Sequence, residues 1–140
     1  MTKEEAQKRD QEIAALKVKG VDVMKREWFE GLMSSGGTRK ERMRQPLWEM
    51  IDDWDAWQPL HKEVRVVAGL DAYEVIKKNH PTVPTLIVEG QSPNNRYSNQ
   101  PEILKYLPNG KLKILEDCGH ILNMEQPEAF NAALREFLKQ

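Results

Sequence analysis

A chain of 140 residues, 39% hydrophobic and 31% charged, has the length and composition of one ordinary globular domain. Its net charge of −1 gives no electrostatic basis for binding nucleic acid or an acidic membrane, and no apolar run approaches the roughly 20 residues that span a bilayer. The single cysteine excludes an internal disulfide and, with an acidic N-terminus that lacks a signal-peptide core, predicts a cytoplasmic protein.

Residues 1–60 carry helix signals. Thr2 and Glu5 form a capping box, and Gly20 is a typical end for the helix that they begin. A second helix is predicted over 23–33, and a Ser-Ser-Gly-Gly loop follows it.

A third helix is predicted between Pro46, which suits a first helical turn, and Pro59. Apolar side chains recur there at the i, i+3, i+4, i+7 spacing of an amphipathic helix, namely at Leu47, Met50, Ile51 and Trp54. Its acidic residues are interpreted as surface charge and not as metal ligands; they are Asp52, Asp53 and Asp55. The tryptophans and methionines of this half either line a substrate pocket or, as is more common at helical spacing, pack in the core.

Residues 61–82 form a connector with weaker signals. The stretch 61–68 alternates weakly and fits either a strand or a helix, whereas 70–78 favours a short helix. His80 and Val83 each precede a proline and therefore predict extended backbone, because that position is pushed out of the helical region.

Residues 83–140 predict a β-α-β-α unit. The apolar run 85–88 is typical of a strand covered on both faces in a parallel sheet, and 111–115 alternates like a strand at a sheet edge. One helix is predicted after Pro101 and another from Gln126 onward. The last helix carries an apolar stripe of Phe130, Ala133, Leu134, Phe137 and Leu138. This order predicts an α/β fold class with two parallel strands and a right-handed crossover.

Several short motifs of this unit occur together in one order. They are Pro84-Thr85-Leu86 with Gly90, a helix after Pro101, a strand over 112–115, Gly119-His120, and Glu125-Gln126-Pro127-Glu128. In this combination the chain resembles the C-terminal portion of the α/β-hydrolase family, whose loop after the last strand carries a catalytic histidine. The resemblance implies a partial α/β-hydrolase fold, with 1–60 as a helical cap-like region, 61–82 as a connector and 83–140 as the hydrolase unit.

The resemblance implies that His120 is the general base, and then the general acid, in hydrolysis of a small ester-like substrate. Dehalogenases, epoxide hydrolases and carbon–carbon bond hydrolases share the family, and the sequence does not select among them.

No cofactor is implied, and three scattered histidines with one cysteine give no metal-ligand spacing. His61 and His80 are interpreted as surface or loop residues. Two neighbouring residues have two interpretations each. Cys118 is either a nucleophile or a small buried side chain, and Asp117 is either the acid of the triad or a residue that holds the loop.

The family's nucleophile elbow, Gly-x-Ser-x-Gly, does not occur in this sequence. The serines without its flanking glycines include Ser34, Ser35, Ser92 and Ser98. A Gln-Ser-Pro-Asn segment stands after Gly90, where the family usually places its acid. In the family's order the chain corresponds to the later two-thirds, so we expect the nucleophile and the acid to lie upstream of Met1 or in another chain.

Two strands are few for a parallel sheet, and an unpaired apolar strand edge attracts other strands. The expected partner is therefore a second copy, in a homodimer, or a chain that carries the nucleophile half; alternatively, 61–68 supplies the missing strand. The alternative function is that of a non-catalytic remnant that associates with itself or with a partner.

Overall fold

The computed structural model of the chain describes residues 3–60, 72–95 and 102–139. Helices occupy the first part of the chain, and two strands with short helices follow. In chain order the α-helices and strands are α1 (Lys3–Lys19), α2 (Val21–Ser34), α3 (Arg44–Asp53), α4 (Trp57–Leu60), α5 (Ala72–Asn79), β1 (Thr85–Gln91), β2 (Gly110–Glu116), α6 (Leu122–Glu125) and α7 (Pro127–Leu138). Two 3-10 helices, Lys40–Met43 and Glu102–Tyr106, precede α3 and β2.

The first two helices follow the predicted boundary at Gly20. This residue has φ 91°, a left-handed backbone conformation that glycine adopts without steric cost, and α2 begins at the next residue. On α1, Ile13 and Leu16 are buried while Val18 is exposed, so one sparse apolar face contacts the rest of the molecule. The capping box at Thr2 lies outside the described residues.

A single apolar core joins α2, the first 3-10 helix and α3. Its buried members are Phe29, Leu32, Met33, Met43, Leu47 and Ile51. The predicted stripe of α3 is confirmed at Leu47 and Ile51, but Met50 is 58% exposed. The helix begins at Arg44, so Pro46 lies in its first turn, where the missing N–H costs little. Pro59 does not end α3 as predicted; α3 ends at Asp53 and Pro59 lies within α4.

The two strands form a parallel sheet, as predicted. The register runs from Thr85 opposite Gly110 to Gln91 opposite Glu116. In the described part of the chain the sheet has these two strands only, and residues 85–89 are half-buried instead of covered on both faces. The prediction of a fully buried strand is therefore wrong, because a two-stranded sheet with α7 packed on it offers too little cover.

The predicted helix after Pro101 is a 3-10 helix of five residues, and Pro101 itself lies outside the described residues. The short helix predicted over 70–78 corresponds to α5, whereas the stretch 61–68 is not described. The last helix begins at Pro127 as predicted. Of its stripe, Ala133 is buried and Leu138 is 71% exposed, so the stripe extends past the sheet that it covers.

Contacts between the helical part and the strand-containing part position the loop after β2. Ile121 and Met124 pack against the helical core. The Arg42 guanidinium donates two hydrogen bonds of 2.9 Å to the Glu128 carboxylate at the start of α7. The described residues thus form a mixed helix and strand structure with one parallel strand pair. None of the described helices has both the length and the apolar character needed to cross a bilayer. The division at residues 60 and 82 stays a prediction.

Candidate functional site

His120 lies on the loop that joins β2 to α6, at the carboxyl end of both parallel strands. Its side chain is exposed to solvent. The sequence predicted this position, just past the end of a strand, and the position is confirmed. The carboxyl ends of parallel strands are where open α/β sheets bind their ligands.

Asp117 begins this loop and holds it against the loop after α2. The Asp117 backbone N–H donates to the carbonyl oxygen of Gln91 at 2.9 Å, and its φ of 51° turns the chain sharply. Its carboxylate accepts hydrogen bonds from the Thr38 backbone N–H at 3.0 Å and from the Thr38 hydroxyl. These two bonds lower the pKa of the Asp117 carboxyl. The geometry matches the loop-holding alternative for this residue.

Glu125, on α6, is fully buried and joins the same two loops from the other side. One carboxylate oxygen accepts the backbone N–H of Gly37 at 2.6 Å, and the other accepts that of Gly119 at 2.7 Å. The sequence motif around Glu125 was interpreted only as a helix start, so this role was missed. Its one signal was an acidic residue at the fifth position after His120.

The end of β1 contacts the histidine loop directly at Gly90. A Cβ atom on Gly90 would overlap the carbonyl oxygen of Gly119 and lie 2.6 Å from that of Cys118. Only glycine permits this approach of two backbones. The histidine loop is therefore held by β1, by the loop after α2 and by α6.

The serines that the structure describes near this loop have structural hydrogen bonds. The buried Ser35 hydroxyl donates to the Leu32 carbonyl at 2.7 Å and accepts from the His120 backbone N–H at 3.5 Å. The Ser92 hydroxyl donates to the Gly36 carbonyl at 3.3 Å. Ser35 follows α2, Ser92 follows β1, and Ser98 lies outside the described residues.

Cys118 is fully buried beside His120 in sequence. Burial raises the pKa of its thiol to about 11, and the negative charge of Glu125 adds to the effect. A neutral buried thiol is a poor nucleophile, so the geometry matches the interpretation of Cys118 as a small buried side chain.

The other candidates of the sequence lie away from this loop. Asp52, Asp53 and Asp55 are exposed, and within the three described ranges no three His, Cys, Asp or Glu side chains are grouped as a metal site requires. Trp48 packs edge-on against Phe29 of the core, whereas Trp28 packs edge-on against Trp54 and is itself 44% exposed. His80 follows α5 and contacts the Tyr106 ring, and His61 is outside the described residues.

A cavity of about 420 Å³ opens near the histidine loop. It is lined by Ser34, Lys40, Pro93, Asn94 and Asn95. Ser34 precedes the serine that contacts His120, and Asn95 donates to the carbonyl oxygen of Gly90 at 2.9 Å. The cavity therefore shares its walls with the segments that hold the loop.

Comparison of the chain with known protein families, with curated proteins and with solved structures finds no match.

Proposed function

We propose that this chain supplies the histidine loop of a hydrolase site, in which His120 is the general base and then the general acid. The substrate class is a small ester or related carbonyl compound. One observation carries the proposal: an exposed imidazole lies at the carboxyl end of two parallel strands, on a loop fixed from three sides. The resemblance of the surrounding motifs to the α/β-hydrolase family supports the same role.

The proposed reaction uses the imidazole as a proton carrier. His120 accepts the proton of an attacking hydroxyl as that oxygen bonds to the carbonyl carbon, and it then donates the proton to the leaving alkoxide. A water molecule, deprotonated by the same imidazole, releases the acyl group in the second half.

The attacking hydroxyl comes from a second polypeptide in this proposal. The sequence contains no Gly-x-Ser-x-Gly, and the described serines near the loop are engaged with backbone groups. The partner brings its nucleophile to the surface on which His120 is exposed. A histidine that must meet a group from another chain needs a well-fixed backbone, which Glu125 and Gly90 supply.

The test is hydrolysis of 4-nitrophenyl acetate by the chain purified together with the partner that it captures, and by the same assembly carrying one of two variants. Any exposed imidazole hydrolyses activated esters slowly, so His80→Ala is the matched control for His120→Ala. We expect His120→Ala to remove most of the rate above buffer and His80→Ala to retain it, because His120 is the one of these two histidines that lies at the strand ends. Equal rates for the wild type and His120→Ala would refute the proposal.

A non-catalytic module that associates with itself or with a partner is the second candidate. It is favoured by β1, which pairs on one side only within the described residues and leaves Leu86, Ile87 and Val88 half-buried. Such an edge adds strands from other chains. Analytical ultracentrifugation at micromolar concentrations tests self-association, and a compact monomer throughout would count against the homodimer.

A further inference from the structure

One of the residues that line the cavity of about 420 Å³ is a lysine, Lys40. Lys40 is half-buried and lines the cavity, and in the part of the chain that the structure describes no carboxylate forms an ion pair with its ammonium group. The hydrogen bonds from Arg44 and, more weakly, the charge of Lys40 lower the pKa of the neighbouring Glu41 carboxyl. Both Glu41 oxygens accept hydrogen bonds from Arg44, at 2.6 and 2.9 Å.

Most of the other residues that line the cavity are polar. Ser34, Asn94 and Asn95 line the same cavity, and Pro93 is the remaining lining residue. The opposite wall has a fixed position, because Asn95 donates to the Gly90 carbonyl and the Ser92 hydroxyl donates to the Gly36 carbonyl. A fixed wall lowers the entropy that a ligand must overcome on binding.

We propose that this cavity binds a small organic carboxylate through Lys40, with the side-chain amide of Asn94 as a further hydrogen-bond donor. One cation matches the single charge of a carboxylate, whereas phosphate, which carries up to two negative charges near neutral pH, is usually held by further donors beside a lysine, such as arginine forks or several backbone N–H groups. The volume lies in the range of small-molecule sites. The binding does not depend on the hydrolytic role of His120.

The experiment is a titration of the ¹⁵N-labelled chain with sodium benzoate, followed by amide chemical shifts. Benzamide, a neutral molecule of the same shape, and inorganic phosphate are titrated in parallel. We expect benzoate to shift the amides of Ser34, Lys40 and Asn94 to saturation, and benzamide to shift them little. Binding of phosphate as tight as that of benzoate, or equal shifts with benzamide, would overturn the carboxylate assignment.

Two variants locate the binding charge, with a third as control. Lys40→Gln is expected to weaken benzoate binding by about tenfold or more, while Lys78→Gln, an exposed lysine on α5, leaves it unchanged. Asn94→Asp, at an exposed position that tolerates the change, is expected to weaken binding too because it adds a negative charge to the lining. Equal affinities of Lys40→Gln, Asn94→Asp and Lys78→Gln would refute the site.

Discussion

The Glu125 carboxylate accepts the backbone N–H of Gly119 at 2.7 Å, one residue before the exposed His120. Its second oxygen accepts the N–H of Gly37, a residue 88 positions away in sequence. A fully buried carboxylate thus accepts hydrogen bonds from the backbone N–H groups of two different loops. The arrangement makes the backbone before His120 dependent on one side chain of a four-residue helix.

Glu125→Gln tests this dependence. The amide keeps one acceptor, but its NH₂ group must face an N–H of Gly37 or Gly119, which leaves a buried donor without a partner. We expect a loss of about 3 kcal/mol in the free energy of unfolding, measured by urea denaturation. Glu49→Gln, an exposed change on α3, is the control, with an expected effect of at most about 0.5 kcal/mol. Similar values for the two variants would contradict the role of Glu125.

The Asp117 carboxylate makes the free energy of unfolding depend on pH in the acidic range. Its hydrogen bonds from Thr38 hold the folded-state pKa below the ordinary value, so their contribution is fully present above about pH 4 and is lost as the pH falls through the lowered pKa. Asp117→Asn tolerates the φ of 51° but carries no charge, so we expect it to lose less stability than the wild type on acidification.

Urea denaturation across acidic pH values measures this effect, and Thr38→Val is its partner variant. It removes the hydroxyl donor and keeps the side-chain shape, so it is expected to remove part of the same acid dependence. The double variant Thr38→Val/Asp117→Asn should show no greater loss of acid dependence than Asp117→Asn alone, because the Thr38 hydroxyl contributes to it through the Asp117 carboxylate. Additive effects would show that the Thr38 hydroxyl acts through another group.

The sequence predicted the elements whose signals are local. The run at 85–88, the alternation at 111–115 and the helix start at Pro127 are present at the expected places. The position of His120 was predictable for the same reason, since it follows a strand. The helix α6 and the role of Glu125 were not, because they depend on Gly37, which is brought near only by the packing of α2 on the rest of the fold. The half-buried state of β1 also depends on neighbours that its own residues do not specify.

Cys118 is expected to resist alkylation in the folded chain. With a thiol pKa of about 11, about one thiol in a thousand is ionised at pH 8, against about a quarter for an ordinary cysteine. Iodoacetamide at pH 8, followed by intact-mass measurement, should modify the native chain far more slowly than the chain in urea. Equal rates would show that this loop opens readily and that His120 is not held by a fixed backbone.

Gly90 and Gly20 are glycines for two different physical reasons, which are steric overlap at Gly90 and a positive φ at Gly20. A Cβ on Gly20 meets nothing within 4 Å, so Gly20→Ala has only the conformational cost of its φ of 91°, about 1 kcal/mol. At Gly90 the added methyl overlaps the Gly119 carbonyl oxygen, a backbone atom that cannot turn away. We expect Gly90→Ala to lose more than about 3 kcal/mol in urea denaturation and to shift the amide resonance of His120. Gly20→Ala should leave that resonance in place, because Gly20 precedes the first residue of α2, whereas Ser35, which contacts His120, follows the last residue of that helix. If both variants lose the same stability with the His120 resonance unmoved, β1 does not position the loop.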